Sequence, residues 1–489
     1  MSYEKHQKRN LEKYCLTKKN MLFEPSDDER YTIEQLSWRD TVDETFQAME
    51  ALIHNLNTMS SRAGAQTPFS SINLGMDTSK EGRLVTECLL KAQQAGLGNG
   101  DTPVFPILIF RVKDGVSGEP GDPNYDLFEL ACECAAQRLF PCFAFLDAPF
   151  NLKYYDPNNK HTFVAYMGCR TRVISNVYDP SKEIISGRGN LSFVSINLPM
   201  LALESKNVNK FFKALENTLE LCCNLLYERY LIQRKRKTYN HPFLYGQGVW
   251  LDSDDKGWDD EIGDAIRHGS LSVGFVGLAE CLCKLTGQHH GESNEAQELG
   301  LRIISYMREY LDNKAQEQLL NYTLLATPAE TYAGRALTLT RNKHGVIDGV
   351  TDKDYFTNSF HIPPKYQISI SEKINKEAPY HQYCNAGHIT YIELDGSVTK
   401  NLSAFMKIIQ YMKKSGIGYG AINVPLDKCE SCGYRDVIYD ECPGCGAKES
   451  EGNKINRIRR ITGYLVGTLD RFNNSKRAEE KDRIKHENI

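Results

Sequence analysis

The sequence lacks any long apolar run: nothing in its 489 residues approaches the roughly eighteen that a membrane-spanning helix needs. No secretory leader is expected either. The first twenty residues, MSYEKHQKRNLEKYCLTKKN, hold charges and no apolar h-region, so a cytosolic location is expected and no membrane association. Charge of one sign is missing too. The formal net charge is −4, and the basic run Arg457, Arg459 and Arg460 is short. No field exists for a nucleic-acid backbone, so no nucleic-acid partner is expected. Internal repeats are absent. What is plentiful is cysteine, with fifteen residues. An odd number, in a long chain without a leader, argues against a disulfide framework and for metal binding or thiol chemistry. With 41% hydrophobic and 25% charged residues the chain is ordinary globular protein. Its length suggests roughly two to four domains.

Residues 1 to about 45 are charged and helical in tone. Apolar positions recur at helical spacing from Thr41 to Met59. SRAGAQTPFSSINLG (60–75) reads as a loop leading into a short strand. VFPILIFRVK (104–113) reads as a buried strand, 114–126 as a loop, LFELACECAAQRLF (127–140) as an amphipathic helix and CFAFLDAPF (142–150) as another strand. This β–loop–α–β order predicts an α/β architecture with parallel pairing. A long helix is expected over 205–235, further helices near 274–286 and 295–312, and strand–loop segments around 320–370.

CESCGYRDVIYDECPGCG places Cys429, Cys432, Cys442 and Cys445 in two C-x2-C pairs, each followed by Gly. Two such knuckles supply four sulfurs at tetrahedral geometry, which is a closed structural zinc site, with an iron–sulfur centre as the other reading. A filled site is structural, and its task is to fix the chain that follows. A zinc ribbon can also be a contact module for nucleic acid or protein, but aromatic–basic interleaving is missing.

RIRRITGYLVGTLDRFN (457–473) follows, with Gly463 and Gly467 among apolar residues. Read from composition, it is a buried turn that needs glycine. A chemical reading also exists. A glycine that loses an α-hydrogen becomes a planar radical delocalised over the flanking amide and carbonyl, and a buried apolar loop shields it.

This segment, behind a four-Cys module and ahead of KRAEEKDRIKH (476–486), resembles the C-terminus of the anaerobic, glycyl-radical (class III) ribonucleoside-triphosphate reductases. Further matches run in order: HNLNTMSSRAGAQTPFSSINLG (54–75), FPILIFRVKDGV (105–116), DPNYDLFELA (122–131), RLFPCFAFLDAPFN (138–151), HGSLSVGFVGLAE (268–280), GQHHGES (287–293), ATPAET (326–331), TNSFHIPPKY (357–366) and NAGHITYIELDG (385–396). The resemblance implies a ten-stranded α/β barrel of two parallel half-sheets around a finger loop, short here of its first strand. It also implies that Gly463 carries the radical and that the four cysteines bind zinc.

YMGCRTRV (166–173) matches the family's finger loop, which makes Cys169 the thiyl residue. Without the family, a buried free cysteine is the plainer reading. Met167 and Asn190, in G-R-G-N, match positions that mark the formate-using branch; gap-filling packing and a loop turn are the plain alternatives. Ser60, Arg62, Gln66, Ser70, Ser71 and Asn73 offer donors for a triphosphate or ribose, and each could equally be structural. Adjacent His289 and His290 point in different directions and read as structural.

The resemblance further implies reduction of ribonucleoside triphosphates to deoxyribonucleotides for DNA synthesis. Formate is the implied reductant, and the radical is installed by a separate activase that uses S-adenosylmethionine and a 4Fe-4S cluster. A homodimer is implied as well. The matched motifs begin near residue 47, and residues 1–46 resemble neither the family's regulatory cone domain nor its first barrel strand, which holds a second active-site cysteine. Three explanations stand: a fragment, one half of a split enzyme whose missing strand another chain supplies, or a degenerate homologue. The expected division is a helical segment 1–46, a catalytic core 47–425, a zinc module 426–448 and a radical loop with tail 449–489. The rivals are another glycyl-radical enzyme of lyase type, which would have adjacent cysteines at the finger tip, and a non-enzymatic zinc-ribbon binding module.

Overall fold

The computed structural model describes residues 2–17, 26–60, 67–396, 398–461, 463, 465–466 and 472–487. Two helices lead, Ser2–Thr17 and Asp27–Thr58. The second starts well before the expected Thr41 because Ser26 and Glu29 form a capping box: the Ser26 side chain accepts from the Glu29 N–H and the Glu29 carboxylate accepts from the Ser26 N–H.

Three short strands follow, β1 (Ser71–Leu74), β2 (Ile107–Val112) and β3 (Cys142–Phe145), all parallel neighbours. The helices Lys80–Ala95 and Tyr125–Arg138 connect them, the crossovers that parallel pairing requires. A second sheet holds β4 (Asn190–Asn197), β5 (Ser270–Val276) and β6 (Asn321–Ala326), again parallel. The chain then returns to the first sheet with β7 (Thr390–Glu393) and β8 (Tyr419–Asn423). The order there is β1-β2-β3-β8-β7, and β8 runs antiparallel to β3. Within the two sheets β2, β3, β5, β6 and β8 are almost wholly buried, as crossover helices on an α/β sheet dictate, while β1 and β4 are mostly half-buried. Each sheet has its own apolar core. One is built on Phe110, Phe128, Phe143 and Tyr419, the other on Phe211, Leu271, Phe275 and Leu324.

The C-terminal part is a separate four-stranded antiparallel ribbon: β9 (Leu426–Cys429), β10 (Arg435–Asp436), β11 (Ile455–Arg460) and β12 (Leu465–Val466), in the order β10-β9-β11-β12. A last helix, Asn474–Asp482, closes the described chain.

Some expectations move. The run near 274–286 divides at Gly277, whose φ of +76° ends β5 and starts the helix Leu278–Thr286; a short apolar run cannot be assigned by periodicity alone. The 320–370 stretch contains a helix, Tyr332–His344, which buries Ala333, Ala336, Leu337 and Thr340 on one face but has no capping side chain to announce it. The 205–235 helix begins at Val208, where Asn207 accepts from the Lys210 N–H.

Candidate active site

Residues 166–172 leave the wall of the sheets and form a hairpin finger. Met167 pairs with Thr171, the Met167 N–H donating to the Thr171 carbonyl at 2.6 Å, and Gly168 with φ +56° makes the turn. Cys169 lies at the tip and is half-buried. The finger touches both sheets. On one side the Asn73 amide bonds Tyr166 twice, donating to its carbonyl at 2.8 Å and accepting from its N–H at 3.0 Å, while Ser71 Oγ accepts from the Gly168 N–H. On the other, the Arg172 N–H donates to the Ala386 carbonyl, Thr171 bridges Gly387, and Gly387 bridges β6 at Leu325. Gly387 has φ +143°, and a Cβ there would sit 2.3 Å from the Arg170 carbonyl oxygen, so only glycine seats the finger this closely. Buried Arg170 donates to the Ala326 carbonyl at 3.3 Å and faces the Tyr391 hydroxyl of β7 at 3.4 Å.

Beneath the tip, fully buried Tyr166 stacks on Tyr419 with centroids 4.3 Å apart. His388 Nδ1 lies 2.8 Å from the Cys384 carbonyl and so carries the proton, which leaves Nε2 to accept from the Tyr166 hydroxyl at 2.9 Å. Burial holds the His388 imidazole neutral, well below its ordinary value.

Gly463 meets this tip directly. It is buried, and a methyl on its Cα would lie 1.9 Å from Cys169 Cβ and 2.2 Å from Cys169 Cα. Residues far apart in sequence are therefore in backbone-to-side-chain contact, in a position that accepts no side chain. Burial pushes the Cys169 thiol up, and the neighbouring Arg170 only partly offsets this, so Cys169 keeps its S–H near neutral pH. That protonation state suits transfer of a hydrogen atom, whereas a thiolate would suit nucleophilic attack.

The loop that carries Gly463 springs from β11, which pairs with β9, the strand that ends in Cys429. Cys429, Cys432, Cys442 and Cys445 converge with all four sulfurs within 4.8 Å of one another. Cys429–Cys445 and Cys432–Cys442 lie at 3.7 and 3.6 Å. Four thiolates at about 2.3 Å from one zinc ion would stand about 3.8 Å apart, so the set fits a tetrahedral metal. Gly433 and Gly446 have φ of +77° and +74° and shape the two knuckles.

The remaining nominated residues scatter. Ser71 and Asn73 are anchors of the finger. Ser70 Oγ is buried with no hydrogen-bond partner among the described residues, and Ser60 is exposed. Arg62 and Gln66 lie outside the described residues. Asn190 starts β4 and donates to Ser272 Oγ at 2.8 Å, while its Oδ1 is buried and unbonded among the described residues. No described hydrogen bond joins it to Met167. His290 Nε2 donates to the Phe360 carbonyl at 2.8 Å, and burial lowers both His289, to about 4, and His290, to about 3, as structural histidines. Sequence reading missed Tyr166, His388, Gly387 and the tail residues Glu479 and Arg483, none of which carries a spacing signal.

Two half-sheets around a finger whose cysteine meets a buried glycine place the fold among the glycyl-radical barrels. A solved glycyl radical enzyme from Archaeoglobus fulgidus matches with a TM-score of 0.57 at 11% identity, covering 93% of this chain and 64% of that one. Within that class, the chain belongs to the anaerobic ribonucleoside-triphosphate reductase family, whose model matches residues 9–486. The match thus extends into the N-terminal helices, ahead of the position near 47 where the motifs begin. The anaerobic ribonucleoside-triphosphate reductase of Escherichia coli (strain K12) is 34% identical over 462 residues, 91% of this chain and 62% of that protein. The chain thus spans under two thirds of that relative's length. A solved anaerobic ribonucleotide reductase shares the fold with a TM-score of 0.69 at 17% identity, covering 94% of this chain and 71% of that one. No helix among the described residues is long and apolar enough to cross a membrane.

Proposed function

We propose that this chain reduces ribonucleoside triphosphates at the ribose 2′ position by a hydrogen-atom relay between Gly463 and Cys169. The contact between those two residues carries the reading. A separate activase, using S-adenosylmethionine, removes one α-hydrogen from Gly463. The glycyl radical takes the hydrogen of the Cys169 S–H, leaving a thiyl. The thiyl takes the 3′-hydrogen of the ribose, the 2′-hydroxyl leaves as water after protonation, and formate supplies two electrons as it becomes carbon dioxide. Cys169 then returns its hydrogen to C3′, and the relay resets.

Several features support this order of events. Cys169 is held as the thiol by burial. The finger is seated from both sheets, and held geometry is what makes a hydrogen transfer competent. Asn190, with its buried unbonded Oδ1, and Met167 next to the tip are the residues we assign to the formate site. We assign zinc to the four cysteines, where it would hold the knuckles closed and keep β9 and β11 in register. Ser70 remains our candidate for substrate. A homodimer and the division into a core 47–425, a metal module 426–448 and a radical segment 449–489 belong to the same reading.

The test is electron paramagnetic resonance of the anaerobically activated chain. A doublet that collapses in protein made with α-deuterated glycine, followed by formate-dependent conversion of CTP to dCTP that Cys169→Ser abolishes, is the expected result. A folded, metal-loaded chain that gives no doublet with a competent activase would refute it.

A further inference from the structure

Arg460 ends β11 and is 1% exposed, yet no carboxylate partners it among the described residues. Its Nη1 donates to the Gly463 carbonyl at 2.9 Å and faces Cys142 Sγ at 3.4 Å. Its Nε donates to Asn423 Oδ1 at 2.8 Å and its Nη2 to the Leu139 carbonyl. The guanidinium lies over the Phe140 ring, 4.9 Å from the centroid. A buried cation held only by neutral dipoles is expensive, and an apolar side chain could fill this volume more cheaply. The neighbouring carbonyls are held the same way: Arg483 donates to those of Arg460 and Ile461 at 2.8 and 3.0 Å.

We infer that Arg460 is a positioning residue for the radical glycine, acting through the Gly463 carbonyl to fix the peptide plane and to stabilise the unpaired electron. The inference rests on the glycyl-radical reading above. A radical at Cα draws electron density from the amide nitrogen and passes it to the carbonyl oxygen. A cationic donor on that oxygen favours this charge-separated form, whereas in the closed-shell glycine it gains only an ordinary charged hydrogen bond. The same bond fixes the carbonyl, and with it the direction in which the Cα hydrogen or vacancy faces Cys169. Arg460 touches neither substrate nor the reacting hydrogen.

Pulsed paramagnetic resonance tests this on the activated full chain grown with guanidinium-15N arginine. The expected result is an arginine 15N coupling to the glycyl doublet, absent in Arg460→Lys. That variant is expected to lose radical yield by about tenfold, the scale of one charged hydrogen bond, with altered g-values and an unchanged metal content. The labelled wild-type spectrum needs no variant to fold. A doublet without arginine coupling, or a lysine variant with the same yield and g-values, overturns the inference and leaves the proposed function standing. No doublet in the wild-type chain brings down both.

Discussion

Asn73 shows how a residue type can suggest one role and geometry supply another. An amide in a polar loop suggests a substrate ligand, yet here both of its functional groups are spent on the Tyr166 backbone. Asn73→Ala removes a donor and an acceptor from a half-buried site, and each loss costs about 1 kcal/mol or more. We expect a stability loss of about 2 kcal/mol in denaturant unfolding and a fall in turnover with KM for nucleotide little changed, because the finger tip shifts while the substrate contacts stay. A large KM effect with stability intact would instead make Asn73 a substrate ligand. Gly463 is the converse case. Its contact with Cys169 was legible only through the motif around it, since glycine in an apolar loop otherwise reads as a turn. Arg460 was legible as a charge and illegible as a buried one: nothing in R-I-R-R distinguishes the guanidinium that turns inward from the two that face Asp427.

At the scale of elements, the ribbon links the four-cysteine site to the loop that carries Gly463. β9 supplies Cys429 and its partner β11 runs straight into Arg460 and Gly463, so the cysteine knuckles adjoin the strand that launches the loop. β9 and β11 share four paired positions and β12 only two with β11, too little to hold a loop without a closed core. The small apolar cluster here is Cys429, Ile438, Cys442 and Ile455, half of it the cysteines themselves. Removing the metal with a chelator, or changing Cys432→Ser, should unfold the ribbon while the barrel helices persist. We expect metal content to fall, protease cleavage to begin between residues 426 and 466, and radical yield to drop in proportion to the metal lost. Full radical yield in metal-free protein would break the link. The four-cysteine module was readable from its spacing, and β1, β2 and the helix after residue 124 from their residue pattern. The β5 boundary and the 332–344 helix were not, because uniformly apolar or uncapped segments carry no period or terminus to read.

At the scale of the whole molecule, the buried histidines give the fold an acid limit. Three of them use Nδ1 as an acceptor for a backbone N–H: His486 from Glu393 at 2.9 Å, His381 from Gly418 at 3.1 Å and His289 from Gly291 at 3.0 Å. A protonated imidazole cannot accept, so each must be neutral in the fold. Burial lowers His486 to about 4, His381 to about 3 and His289 to about 4. Around His486, Lys373 pushes the same way while Glu393 and Glu377 oppose it. The ordinary value is 6.5, so between 6.5 and about 4 the unfolded chain binds protons that the folded chain refuses. The stability is fully present above 6.5 and is lost as pH falls toward 4. For His486 alone the loss is about 3 kcal/mol, at about 1.4 kcal/mol per unit. Glu479, lowered to about 2 through Lys476 and Arg483, adds a loss only below the ordinary carboxylate range, so the two windows separate. His486 docks residue 393 to the tail whose Arg483 holds the carbonyls of Arg460 and Ile461, so protonating it should free the tail before the barrel opens. Hydrogen exchange at pH 5 is therefore expected to rise first over residues 474–487, and in His486→Gln, whose amide oxygen can still accept, the drop in stability from pH 7 to 5 should shrink. A variant whose stability tracks the wild-type curve over that range would show that the acid limit lies elsewhere.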